Sequence, residues 1–105
     1  MIKIIFNRWL PFKPYAALSL GDRIFVRNEY EGKVTKSLIA HELVHVSQVE
    51  RMGMVKYLAT WVWEYFTKGY KNISLEKEAY EKQSEDYYLA WAESVLKDNG
   101  IAYPK

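Results

Sequence analysis

Residues Thr35–Met52 read TKSLIAHELVHVSQVERM, and their spacing decides how the chain folds. Leu38, Ile39, Leu43, Val46, Val49 and Met52 recur at three and four residues, the period of an amphipathic helix. Thr35 or Ser37 is placed to cap its start, and Gly53 to end it. Upstream the period is different. Ile2 to Phe6 are β-branched or aromatic apart from Lys3, and Pro11 and Pro14 then impose a loop. Ala17–Leu20, Gly21-Asp22 and Arg23–Arg27 read as strand, tight turn and strand, with Ile24 and Val26 on one face, and a turn over Asn28–Gly32 follows.

Downstream, Met54 to about Lys68 forms a second helix ending at Gly69, with Val55, Leu58, Val62, Tyr65 and Phe66 as its wide apolar face. A third helix opens at Ser74, a good cap, and the pattern of Leu75, Ala79, Gln83, Tyr87, Ala90, Trp91 and Val95 carries it to Asn99-Gly100. The expected fold class is α+β, a small N-terminal antiparallel or mixed sheet with three helices. At 105 residues the chain has room for one hydrophobic core, so residues 1–105 are read as a single domain.

Composition excludes several classes of function. Fifteen Lys and Arg against 13 Asp and Glu leave +2, and the basic residues are scattered, so no nucleic-acid partner is expected. There is no Cys, which removes disulfides, thiolate metal sites and thiol nucleophiles together. The apolar run at the N-terminus is interrupted by Asn7 and Arg8, and the stretch Tyr57–Trp63 is far short of the roughly 20 residues a spanning helix needs. No transmembrane segment is expected, and a cytoplasmic location is the default.

The chemistry sits in the first helix. His41-Glu42-Leu43-Val44-His45 is an HExxH motif, expected by chance in a chain of this length with a probability of order ~0.3%. Both histidines of the protein are in it. The four-residue spacing puts the two imidazoles on one face, one turn apart, where they can share a zinc ion. Glu42, about 100° around the helix, can reach a metal-bound water and act as general base. A catalytic site needs a third protein ligand, which without Cys or a third His must be a carboxylate. Glu76, Ala79, Tyr80, Gln83 and Tyr87 line one face of the third helix, while Glu78 falls with Glu81, Lys82 and Glu85 on its charged side. Glu76 is therefore the expected ligand, with Glu78 as second choice; the competing reading of Glu76 is a first-turn acid on the helix dipole.

HELVHVSQ on one helix, an aromatic-rich second helix and Glu76-Lys77-Glu78-Ala79-Tyr80 opening a third resemble the minigluzincins, very small metallopeptidases of thermophilic prokaryotes, over nearly the whole chain. The resemblance implies a minimal zincin-like catalytic domain and a zinc metalloendopeptidase acting on peptides or unfolded proteins. In it His41, His45 and Glu76 hold the metal, and Glu42 moves the proton. In related membrane-integral peptidases the glutamate helix reads ExxAD, and Tyr80 stands here where that pattern has Asp. The resemblance also implies an edge strand that binds extended substrate, for which Asp22–Arg27 is the candidate, and an oxyanion donor, for which Tyr80 and Tyr87 are candidates. It further implies synthesis in a latent form, with the C-terminal segment 101–105 covering the site within the chain or by exchange with a second copy. The other reading of Ile101 and Tyr103 is an anchored terminus packed on the core.

Trp61, Trp63, Tyr65 and Phe66 read as core packing in preference to an interfacial belt, because Lys56, Glu64 and Lys68 make no strongly basic face. The competing class of function is a zinc-stabilised binding or regulatory module without turnover. An intact Glu42, and three good ligands where a closed structural site takes four, favour the enzyme.

Overall fold

In a computed structural model of the protein, residues 2–10 and 16–103 are described. Three strands, β1 (Lys3–Asn7), β2 (Ala17–Leu20) and β3 (Arg23–Arg27), precede four helices, α1 (Lys36–Met52), α2 (Met54–Lys68), α3 (Ser74–Lys82) and α4 (Asp86–Asp98). The fold is α+β. The sheet is mixed, in the order β1-β3-β2: β1 runs parallel to β3 with Ile4 opposite Ile24, and β2 forms the expected hairpin with β3, Ser19 opposite Ile24. The loop expected at Pro11 and Pro14 lies outside the described residues.

β3 lies in the middle of the sheet, hydrogen-bonded on both sides, so it cannot be the edge strand expected over Asp22–Arg27. That edge belongs to β2. Alternation along a strand reports which face a residue occupies but not which strand becomes its neighbour.

α1 is buried on two faces with different chemistry. Ile39, Ala40, Leu43 and Val46 pack with Ala92, Val95 and Leu96 of α4 and with Ile24 and Val26 of the sheet. His41, His45 and Gln48, at i, i+4 and i+7, form a second buried stripe toward α3. Thr35 caps α1 by accepting from Leu38 N–H, and Gly53, at φ 85°, ends it and turns the chain into α2.

The third helix expected from Ser74 to Asn99 is broken into α3 and α4 at Gln83–Glu85. The break follows from two packing demands: α3 must face the histidines of α1, and α4 must cover the apolar face of the same helix. One straight cylinder cannot do both.

The start of α3 also differs from expectation. Ser74 is not its cap; the backbone N–H and hydroxyl of Ser74 both donate to Glu64 Oε1 of α2, each at 2.7 Å. A carboxylate from another helix thus satisfies the donors at the N-terminus of α3. Glu64 is accordingly buried. The predicted core face of α2 is likewise turned out: Val55, Leu58, Val62, Tyr65 and Phe66 are exposed, with Trp63, while Tyr57 and Glu64 are buried.

At the C-terminus, Gly100 adopts φ 67° and Ile101 N–H donates to Leu96 C=O, the left-handed cap expected at Asn99-Gly100. Asn99 joins this end to the sheet, accepting from Ile4 N–H and donating to Ile2 C=O, both at 3.0 Å. Ile101 and Tyr103 pack on the main core cluster. They do not line the cleft where the latent reading places them. Pro104 and Lys105 lie outside the described residues.

Replacing Glu64 with Ala should lower unfolding free energy by about 1–2 kcal/mol, because two donors at the start of α3 lose their acceptor. Glu64→Gln, which keeps an acceptor oxygen, should lose less. Denaturant unfolding measures both, and equal stability of Glu64→Ala and wild type would remove the cap.

Candidate metal centre

The four side chains singled out from the sequence meet at one point. His41, Glu42, His45 and Glu76 are all buried. Candidate ligand atoms of His41, Glu42 and His45 lie within 4.8 Å of one another. The carboxylate of Glu76 faces both rings, with Oε1 3.0 Å from His41 Nε2 and Oε2 2.9 Å from His45 Nε2. Ala79, fully buried one turn along α3, presents only a methyl group toward the core. Glu78, the second choice, is turned away into contact with Arg51, Lys82 and Gln48.

Hydrogen bonding fixes the proton on one ring nitrogen of His45. The side-chain nitrogen of Gln48 lies 3.0 Å from Leu75 C=O and 2.7 Å from Glu78 Oε1, and both of those atoms only accept. Its own oxygen must therefore face His45 Nδ1, at 2.8 Å, and that ring nitrogen must carry a proton. In the neutral ring Nε2 is then a lone pair aimed at a carboxylate oxygen 2.9 Å away. Two acceptors this close need a cation between them, which is either a second ring proton or a metal ion. Ligand atoms of a tetrahedral ion with bonds of about 2.0–2.1 Å stand about 3.3 Å apart, close to the spacings found here. The donor set of two imidazole nitrogens and a carboxylate therefore fits a bound metal ion.

His41 is oriented in the same manner, its Nδ1 2.9 Å from Gln83 Oε1. Both histidines of the motif thus rest on glutamine amides. Gln83 stands one turn beyond Tyr80, at the C-terminal cap of α3.

Electrostatics follow from burial and partners. Burial alone would raise the Glu76 carboxyl, but His41, His45 and Trp61 Nε1, which donates at 3.2 Å, hold it well below the usual carboxylate range. Tyr70 adds a fourth contact, its hydroxyl donating to Oε1 at 3.1 Å. Burial also pulls down on His45, yet the hydrogen bond to Glu76 and the charges of Glu42 and Glu76 raise it overall. Glu42 is raised, chiefly by burial; the two histidines and the backbone N–H of Ser19 act against this. A carboxylate so raised binds a proton more readily than one in water, as a general base must.

Two cavities meet over the site. One, of about 210 Å³ and largely apolar, runs under α2 between Leu18, Tyr57 and Trp61. The other, of about 410 Å³, lies between Leu38, Tyr80 and Gln83. Ala17, His41, Glu42 and Tyr70 border both. β2 runs from one cavity into the other, with Ala16 and Ala17 lining the second and Ala17 to Ser19 the first. Because Ala16 C=O accepts from Arg27 N–H, the even residues of β2 face β3, and the backbone groups of Ala17 and Ser19 face the cleft. The Ser19 N–H, whose influence on the Glu42 carboxyl is felt from this side, agrees with this parity.

Of the two tyrosines expected near the site, Tyr80 packs edge-on against His41, with ring centroids 4.5 Å apart. Tyr87 is exposed on α4 against Tyr88 and Trp91. Sequence reading missed Gln48, Tyr70 and Trp61 as site residues. Only Gln48 carried a local signal, three residues beyond His45 and so on its face. Comparison with known proteins finds no matching family model, no similar curated protein and no similar solved structure.

Glu78 carries a testable pH dependence. The amide of Gln48, with Arg51 and Lys82, lowers its carboxyl from the ordinary 4.5 to about 2. Its stabilisation is therefore complete above about pH 4.5 and lost as pH falls toward 2. Glu78→Gln should cost about 1 kcal/mol at neutral pH and flatten the loss of stability across that interval. Parallel acid-unfolding curves for variant and wild type would assign the acid sensitivity elsewhere.

Proposed function

We propose that this protein is a zinc-dependent metalloendopeptidase in which His41, His45 and Glu76 hold the metal and Glu42 is the general base. The observation that carries the reading is that His45, its Nδ1–H held by Gln48, turns Nε2 together with His41 Nε2 onto one carboxylate, beside a second, proton-hungry carboxylate in a cleft. The minigluzincin resemblance agrees with it.

When bound, zinc supplies Lewis acidity, polarising the scissile carbonyl and acidifying the attacking water. The chain does the rest. An extended peptide lies along the free edge of β2, where the N–H and C=O of Ala17 are available to it, and its side chains enter the two cavities. The Glu42 carboxylate, buried beneath β2, takes a proton from the water and delivers it to the departing amine nitrogen. Tyr80, beside His41 at the border of the larger cavity, is placed to donate to the developing oxyanion. Tyr70 and Trp61 keep the Glu76 carboxylate oriented toward the histidines.

Purified protein should carry one zinc per chain. Glu76→Gln should weaken zinc binding by about 100-fold or more and Glu78→Gln by less than about tenfold. Glu42→Gln should keep the metal and lower cleavage of an unfolded protein by about 100-fold or more. A wild type that binds zinc and cleaves nothing would establish the binding-module reading instead. Removing residues 101–105 should lower thermal stability without raising activity, since Ile101 and Tyr103 pack on the core; a folded, faster truncated enzyme would establish latency.

A further inference from the structure

The outward face of α2 has no partner among the described residues and a composition that selects one. Val55, Leu58, Val62, Trp63, Tyr65 and Phe66 are exposed, Val55 at 84%, Phe66 at 79% and Trp63 at 69%. At 100° per residue these six fall within one sector of about 160°. It contains no charged residue. Lys56 borders it on one side, about 20° beyond Trp63. Together the six expose on the order of 600 Å² of apolar side chain, at the upper end of what an ordinary monomer shows.

Charge distinguishes the occupants. Between Met52 and Leu75 the charged residues are Lys56, Glu64, Lys68 and Lys71. Glu64, the single acid among them, is buried and turned inward to Ser74. Every exposed charge of this segment is therefore positive. Lys68 is paired with Glu64 at 3.4 Å, so a second copy docked through the same face would set Lys56 and Lys71 against their own counterparts with no acid of this segment left to pair them. A surface of anionic phosphates would meet Lys56 and Lys71 with opposite charge, while Trp63, Tyr65 and Phe66 entered the headgroup–acyl boundary. α2 has 15 residues, about 22 Å of helix, too short to cross a bilayer and suited to lying in its plane.

We propose that α2 is a membrane-docking helix that seats the protein on anionic lipid bilayers through this face. The inner side of the same helix supplies Tyr57 and Trp61 to the cleft, so docking holds the metal centre about one helix diameter, roughly 10 Å, from the lipid surface. The proposal is independent of the peptidase reading.

The test is cosedimentation of the purified full chain with phosphatidylcholine vesicles, with and without phosphatidylglycerol, at low and high salt. Binding to the phosphatidylglycerol vesicles should exceed binding to phosphatidylcholine alone by about tenfold or more and weaken in high salt. Brominated acyl chains should quench tryptophan fluorescence. The variant carrying Trp63→Ser and Phe66→Ser, both at exposed positions, should keep the wild-type circular dichroism and lose binding by about tenfold or more. Lys56→Glu with Lys71→Glu should lower binding to the anionic vesicles only. Failure of the wild type to bind either vesicle overturns the proposal, and a dimer by sedimentation velocity would then assign the face to a second copy. Wild-type binding by the folded Trp63/Phe66 variant overturns it equally.

Discussion

The carboxylate of Glu76 is buried between two imidazoles, and most of the fold is arranged so that it can be there. An ionised carboxylate this deep is costly unless every lone pair is met. Four groups from three places meet it: His41 and His45 from α1, Trp61 from α2 and Tyr70 from the turn before α3. Each must arrive from its own direction, which fixes how α2 and α3 lie against α1. The cap that Glu64 provides to Ser74 locks the same arrangement two residues upstream of Glu76.

The support behind the histidines is neutral where a carboxylate is a frequent choice. Gln48 and Gln83 accept from the imidazoles without adding charge, and the negative charge of Glu78 lies one hydrogen bond further out. A neutral acceptor fixes the ring tautomer as well as a carboxylate does but makes the ring less basic. The site therefore already carries two buried carboxylates, Glu42 and Glu76, and avoids a third in contact with its histidines. A third would raise Glu42 further by repulsion and hinder the ionised form that a base requires.

Legibility in the sequence followed the range of the interactions. α1 was readable from end to end because its cap, its period, its terminal Gly53 and the four-residue histidine spacing are all local. The face argument singled out Glu76 over Glu78 for the same reason, and Gln83 stood on that face without its role being visible. The strand order was not legible, since alternation in Arg23–Arg27 is the same for a central strand and an edge. The break at Gln83–Glu85 was hidden because no Gly or Pro marks it; competing packing demands on α3 and α4 impose it. α2 was read with its faces exchanged. Its apolar arc satisfies the period of a core-facing helix, and only the tertiary partners of Tyr57, Trp61 and Glu64 show which side is inside.

That exchange explains the composition of α2. A helix ordinarily turns its polar groups to water and its apolar groups inward. Here the indole nitrogen of Trp61 binds Glu76, Glu64 caps α3 and Tyr57 lines the cleft, so the groups that hydrogen-bond are consumed on the inside. The site thus requires a polar inner face. An outer face of the usual kind would then leave α2 polar all round, with little apolar burial to hold it in place. Instead the outer sector is apolar over about 160°, far more than solubility calls for. Such a surface has a free-energy cost in water, and the polar contacts that Trp61, Glu64 and Tyr57 make on the inner side are what set it there.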